Sequence, residues 1–396
     1  MKKNTILSAA LAAMAMLPAA AQDAPSLTEY YFLLPTNEDS FSYLRKADLE
    51  YGTQWNCRLA YNMWNTEGGL PGMNNHHNIL MFSTQVQQRV IEDSVGGGTW
   101  LRVEFDASWG LDPESADQDK FINNVFGSSH WVHNNAKGPH DGHFAEAMVL
   151  HFRNNKRTVF GAGIVDTSNY LDCVSVAASG YYHFNNTAFV GPYSQPVTLY
   201  NLGAIAMHQI DERNYVIGTL TRNCTKRGHN PFSGSFLGSY YLSGEYGHTF
   251  NDGKSIIRFS PFIARSEDTA SGKHVNGGIS GSFEYKPNSA MTYYVRSGFS
   301  FRDDINPGAT ISAGFQARPF AARPQDYIGL SAGVFKATKP VDGSTYNNRE
   351  YVVEAMYSYQ LNKHVQIVPH MQFLWDPAYS DVDYGMVWGL MTVLTF

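Results

Sequence analysis

The chain has little charge and little cysteine, and beyond its first twenty residues it has no long apolar run. From Pro18 onward no stretch offers eighteen consecutive apolar residues, and mean hydropathy is −0.30. That excludes a protein crossing a membrane as helices, each of which needs about twenty such residues. It does not exclude crossing as strands, because strands with one lipid face alternate and their hydropathy averages out. Only 16% of the residues are charged, against roughly 25% in an ordinary soluble domain. The balance is acidic, 29 Lys and Arg against 35 Asp and Glu, which argues against nucleic acid as a partner. Three cysteines, Cys57, Cys173 and Cys224, show no CxxC spacing. They give neither a disulfide framework nor a metal site, and one bond after export is the most they allow. No Gly-x-Ser-x-Gly sits in a strand-to-helix elbow, so the usual signature of a serine hydrolase is missing.

What the chain does have is aromatic residues and glycine: 14% aromatic, with 24 Tyr, 24 Phe and 35 Gly. Lys2 and Lys3 precede an apolar run from Ile6 to Leu17, then Pro18 and Ala19 to Ala21. Residues 1–21 therefore read as a signal peptide cleaved before Gln22, and the protein as exported. Removing two lysines leaves 27 positive against 35 negative residues, a net charge of about −8. Residues 22–50 are polar and mixed, without periodicity, and are expected to form a periplasmic extension. Residues 51–396 are expected to form one domain.

The pattern that organises this domain is clearest at its end. Alternate residues Tyr384, Met386, Trp388, Leu390, Thr392, Leu394 and Phe396 make a large, apolar face. Gly385, Val387, Gly389, Met391, Val393 and Thr395 make a smaller one. Period two is a strand, and a closed membrane barrel gives such a strand lipid on one side and no free edge. Strand patterns of this kind recur about sixteen times, at 53–64, 78–91, 98–109, 143–152, 157–165, 198–208, 214–222, 236–250, 254–265, 274–285, 291–302, 310–318, 327–336, 350–360, 364–375 and 384–396. Val365, Ile367, Pro369, Met371, Phe373 and Trp375 are expected to face lipid, with His364, Gln366, Val368, His370 and Gln372 inward. Tyr351, Val353, Ala355, Tyr357, Tyr359 and Leu361 repeat the pattern, as do Tyr293, Val295, Phe299 and Phe301. Every second connection is short, as at 251–253 and 361–363, whereas the others include two of about thirty residues, 110–142 and 166–197. The fold class is thus all-β: a transmembrane antiparallel barrel of about sixteen strands with both termini periplasmic.

Residues 121 to 222 resemble the OprB-type carbohydrate-selective porins in the order of their elements. The shared elements are Phe121-Ile-Asn-Asn-Val-Phe-Gly-Ser-Ser129, Phe160-Gly-Ala-Gly-Ile-Val-Asp-Thr-Ser-Asn-Tyr-Leu-Asp172, Phe184-Asn-Asn-Thr-Ala-Phe189, Leu202-Gly-Ala204 and Tyr215-Val-Ile-Gly218. The resemblance implies that a strand ending in Gly-x-x-Asp leads into a long loop that bends into the pore. It places Asp166, Asn169, Tyr170 and Asp172 in the channel. The chain departs from the family pattern in its histidine-rich second loop and at Asp166-Thr167.

A sixteen-stranded barrel leaves water inside, so function depends on what narrows it. Transient binding of uncharged sugars takes aromatic rings and charged hydrogen-bonding groups. Inward positions supply both: Arg58, Arg89, Trp100, Arg102, Glu104, Asp106, Glu245, Arg258, Glu284, Arg296, Arg302, Arg318 and Glu354. Most such charges are expected to keep the lumen wet and pair with one another. The dense run Arg102, Glu104, Asp106 is the leading candidate for a constriction. His130, His133, His140 and His143 give His-x-x-His twice, but among turn-forming residues, and read as a solvated loop and not a metal site. Trp109, Trp131, Trp375 and Trp388 read as girdle or loop residues.

The expected function is passive diffusion of small hydrophilic solutes, carbohydrates foremost, through the outer membrane of a Gram-negative cell, with no cofactor, metal or chemical step. Expected partners are sugars, outer-membrane lipid and lipopolysaccharide, the outer-membrane assembly machinery through the C-terminal strand, and two further copies in a homotrimer. An outer-membrane barrel hydrolase and a plugged adhesin or structural barrel are the alternatives.

Overall fold

The structure, a computed structural model, describes Phe32 and residues 52–92, 97–134, 138–153, 156–177, 181–195, 200–223, 231–232, 238–266, 274–302, 307–337 and 347–396. The expected signal peptide at 1–21, Cys224 and all of residues 22–50 except Phe32 lie outside them. Sixteen strands follow in order: β1 (Thr53–Glu67), β2 (His76–Glu92), β3 (Gly98–Gly110), β4 (His140–Arg153), β5 (Thr158–Val165), β6 (Asn201–Gln209), β7 (Asn214–Arg222), β8 (Tyr240–Phe250), β9 (Ser255–Ser266), β10 (His274–Asn288), β11 (Met291–Ser300), β12 (Ala309–Ala317), β13 (Tyr327–Lys336), β14 (Arg349–Asn362), β15 (Val365–Trp375) and β16 (Tyr384–Thr395). Each pairs antiparallel with its sequence neighbours, and β16 pairs with β1 to close the ring, with Arg58 opposite Thr395 and Glu67 opposite Met386. Closure gives every wall strand two hydrogen-bonded neighbours, the condition a sheet must meet in hydrocarbon.

Two-residue alternation sets the two surfaces. Along β3, Leu101 and Val103 are 46% and 39% exposed, whereas Arg102 and Glu104 between them are each 6% exposed. The outward set, with Ile257, Phe259, Val295, Phe299, Met371 and Leu390, forms an apolar surface that water would not tolerate and lipid requires. Trp375 and Tyr384, paired at the ends of β15 and β16, are exposed aromatics in this band.

The short links, among them 210–213, 251–254, 289–290 and 363–364, gather at one rim together with the start of β1 and the end of β16. In the β8–β9 turn Asn251, Asp252 and Gly253 all have positive φ (52°, 54° and 81°), the residue types that tolerate this conformation. The long links, 111–139 and 166–200 foremost, leave the opposite rim.

Those two long links turn back into the barrel. Phe121, Ile122, Val125, Phe126 and Val132 from one, and Val174, Tyr181, Phe184 and Phe189 from the other, are buried against inward residues of the wall. The wall residues include Trp64, Met81, Phe335, Val368, Val387 and Met391. A second inner cluster joins Trp100, Met148, Leu150, Phe152, Tyr170, Ile205 and Tyr215. The wet inner wall expected from alternation is thus corrected. Period two tells inside from outside, but inside is dry wherever a loop fills it.

Candidate functional site

Loop backbone inside a barrel has no ladder to join, so its N–H groups need acceptors. Inward carboxylates of the wall supply them. Glu354 on β14, fully buried and with no cation on it among the described residues, accepts the backbone N–H groups of Asn185 (2.7 Å) and Asn186 (3.0 Å). Glu350, two inward positions away, accepts the N–H of Ser129 (2.8 Å) and of Ala378 (2.6 Å), and the Ser129 hydroxyl. Glu284 on β10 accepts the Ser175 N–H at 2.6 Å and pairs with Lys286 at 2.9 Å. Glu245 on β8 accepts the Asp172 N–H at 2.6 Å, with Tyr215 and Ser260 hydroxyls each at 2.8 Å. Hydrogen bonds to a charged group are worth about 1.5–3 kcal/mol each, roughly twice a neutral one. Carboxylates therefore hold irregular backbone where neutral side chains would hold it weakly.

Cations complete the hold. Arg296 on β11 donates from Nε to Asp172 Oδ2 at 2.5 Å, from Nη2 to the Asp172 carbonyl at 2.9 Å, and from Nη1 to the Phe189 carbonyl at 2.5 Å. Arg102 pairs with Glu146 on β4 at 2.7 Å, with its guanidinium 5.9 Å from the Tyr170 ring centre. Asn169 donates to both Glu104 (3.2 Å) and Glu146 (3.3 Å). Asp166 caps the short 3-10 turn 167–169 by accepting the Ser168 N–H at 2.9 Å. Desolvation pushes the Tyr170 hydroxyl well above the ordinary phenol range, the His183 imidazole down to about 4 and the Cys173 thiol up to about 12. The inward loop accordingly keeps these side chains neutral across physiological pH.

Of the residues singled out in the sequence, Arg102, Glu104, Asp166, Asn169, Tyr170, Asp172, Glu245, Glu284, Arg296 and Glu354 meet as the fastening of the inward loops. Trp100 lies in the second apolar cluster. Arg258, buried on β9, lies within electrostatic reach of Glu245 and Glu284. Arg89 pairs with Glu92 at 3.3 Å by the short-link rim. At that rim too, Arg318 donates to the Pro324 carbonyl at 2.5 Å. Arg302 lies past the end of β11, its N–H donating to Asn276 Oδ1 at 3.1 Å.

Arg58 and Asp106 remain half-buried on the lumen face. They share one row of the sheet, each register-paired with Ser83 between them, roughly 10 Å apart at the usual strand spacing. The Arg58 guanidinium stands 5.1 Å from the Tyr182 ring centre and 5.9 Å from that of Tyr181. The fully buried Tyr181 hydroxyl is pushed well above its ordinary range by desolvation, with Asp106, Arg58 and Glu104 all in electrostatic reach.

The solvated reading of the histidine loop is corrected for two of its members. His130 and His133 are buried, His130 beside Phe335 and Tyr193 and His133 4.8 Å from Trp64. The loop turns inward and carries them with it. Among the described residues no three His, Cys, Asp or Glu side chains are grouped to hold a metal. Sequence reasoning missed Glu146, Glu350, Tyr181 and Tyr182. Glu146 lies on β4, where both faces of the pattern are mixed, and the two tyrosines lie in a loop with no period to read.

Residues 71–396 match the family model described as carbohydrate-selective porin, OprB family. The high-pH structure of Pseudomonas putida OprB superposes with a TM-score of 0.73 at 13% identity, covering 89% of this chain and 96% of that one. The low-pH structure of the same protein gives 0.55 at 11% identity, covering 89% and 95%. A triple mutant of the Rh. blastica porin gives 0.55 at 10% identity, covering 87% and 100%. At these identities the likeness to solved structures is one of fold. No curated protein matches the sequence.

Proposed function

The chain belongs to the carbohydrate-selective porin family OprB, a porin of the Gram-negative outer membrane, and from that premise we propose which of its side chains handle the sugar. The proposed contact surface is Arg58 with the half-buried Tyr182 on one side, Asp106 on the same wall, and the exposed Asn169 at the turn of the inward loop, with the buried Tyr181 backing the guanidinium. The observation that carries the reading is the stacking of Arg58 over two tyrosine rings, beside a carboxylate two strands away. A pyranose offers C–H faces to the Tyr182 ring and hydroxyl groups to the guanidinium and carboxylate. Opposite charges on one wall favour neither anions nor cations strongly.

Passage is driven by the solute gradient and needs no bond made or broken. The inward loops supply the narrowing, and their fastening to the wall keeps its width fixed. The lipid-facing band is proposed to meet lipid and lipopolysaccharide, and β16 to be the strand read during assembly.

The test is conductance in planar bilayers. Ohmic steps that fall as glucose or maltose is added are expected. A barrel that never conducts is the result for a plugged structural role, and ester hydrolysis by refolded protein the result for an enzyme.

A further inference from the structure

Phe32 precedes the barrel in sequence yet lies within it. Its side chain is fully buried, and its ring stacks on Tyr170 with centroids 4.5 Å apart and planes at 18°. Its carbonyl oxygen accepts two hydrogen bonds, from Gln87 Nε2 at 3.0 Å and Arg102 Nη1 at 3.2 Å. Both donors are inward residues, buried between the lipid-facing Val86, Leu101 and Val103. Arg102 is four residues from the Gly98 end of β3, so the carbonyl lies roughly 10 Å inside the short-link rim at about 3.3 Å per residue on a tilted strand.

The surroundings of Phe32 are chemically specific. An aromatic face, a guanidinium and a primary amide converge on one flat ring and one oxygen atom. A pyranose presents the same two features, an apolar C–H face and oxygen atoms that accept charge-assisted hydrogen bonds. Tyr170 and Arg102 belong to the inward loop and wall that narrow the channel. Whatever sits on them therefore sits inside the barrel. Emptying the socket would leave the Arg102 and Gln87 donors to water or to a solute hydroxyl, since buried donors do not stay unpaired.

We infer that Phe32 is a built-in occupant of a latent saccharide subsite formed by Tyr170, Arg102 and Gln87, competing with the sugar for it. The inference rests on the sugar-porin reading above and adds to it a second, internally occupied position on the periplasmic side of the narrowing.

Full-length wild type and Phe32→Ala are compared in planar bilayers with glucose titrated into both chambers. The expected result is a larger single-channel conductance in the variant and a half-blocking glucose concentration at least about fivefold lower. Equal half-blocking concentrations overturn the inference while leaving the porin reading intact. Absence of sugar block in the wild type counts against the porin reading, and against this inference with it. Should Phe32→Ala not give a heat-modifiable folded band, Phe32→Trp serves instead. Its indole emission, taken as the difference from wild type, is expected to shift to longer wavelength at saturating glucose as the ring is displaced. An emission unmoved by glucose overturns the inference.

Discussion

Arg296 holds Asp172 by side chain and backbone at once, Nε on the carboxylate at 2.5 Å and Nη2 on the carbonyl at 2.9 Å. Asp172 has a positive φ of 53°, a conformation that costs energy in a non-glycine residue and persists where its surroundings enforce it. Arg296→Met leaves the Asp172 carboxylate buried without its cation, and a broken buried pair costs about 3–5 kcal/mol. The expected outcome is a lower unfolding midpoint in detergent and a larger, noisier single-channel current. Arg296→Lys is expected to restore little, because one ammonium cannot span both acceptors in the guanidinium's geometry. A wild-type current from Arg296→Met would remove this pair from the loop's fastening.

Glu354 faces the Asn185 and Asn186 backbone N–H groups without a compensating cation among the described residues. Glu354→Gln keeps the shape and removes the charge, at a loss of about 1–3 kcal/mol in the hold on that loop. Amide hydrogen exchange reads this directly. Asn185 and Asn186 are expected to exchange about tenfold faster or more, with wall amides of β14 and β15 unchanged, since about 1.4 kcal/mol of local opening is a factor of ten.

Arg58→Ala tests the proposed contact surface without touching the loop's hydrogen bonds. Losing one guanidinium hydrogen bond to a sugar hydroxyl is worth about 1 kcal/mol, so sugar block is expected to weaken roughly fivefold, while the lost contact with the Tyr181 and Tyr182 rings lowers stability by no more than about 1 kcal/mol. Glu104→Ala, by contrast, is expected to lower stability, since Asn169 loses an acceptor.

The turn between β12 and β13 carries its own pH dependence. The hydrogen bond from Arg323 holds the Asp326 carboxyl down to about 2, with further bonds from the Tyr357 hydroxyl and the Gln360 N–H. A carboxyl depressed by folding contributes stability that is complete above its ordinary value of 3.8 and is lost as pH falls through about 2. Asp326→Asn is expected to remove that part of the acid dependence between about pH 4 and 2, measured by the thermal midpoint at each pH. A slope identical in the two proteins would show the contact to be idle.

The wall was legible because a membrane strand must alternate. The expected spans 214–222 and 327–336 coincide with β7 and β13, and β16 with 384–396 to within one residue. The ends that drifted are those where pairing outruns the pattern. β1 runs three residues beyond its expected end, to Glu67, because the register with β16 and the bond from Thr66 N–H to the Asn75 carbonyl continue it. The interior was legible only by half. Alternation puts Glu354 and Arg296 inside, but their partners are loop groups more than a hundred residues away in sequence, and no local spacing encodes that. The same holds for His133, a loop residue whose neighbour Trp64 belongs to β1, and for Phe32, which stands in a stretch without period.

The seam between β1 and β16, with Cys57 and Phe396 exchanging backbone hydrogen bonds at 3.1 and 2.9 Å, joins opposite ends of the described sequence. A sheet of all sixteen strands not yet closed would hold fifteen good junctions and two raw borders, with nothing yet able to bring those borders together. Completion is thus a single late event in which the most distant partners meet, and damage at the seam should show as slow maturation and proteolysis of intermediates before it shows in the finished cylinder.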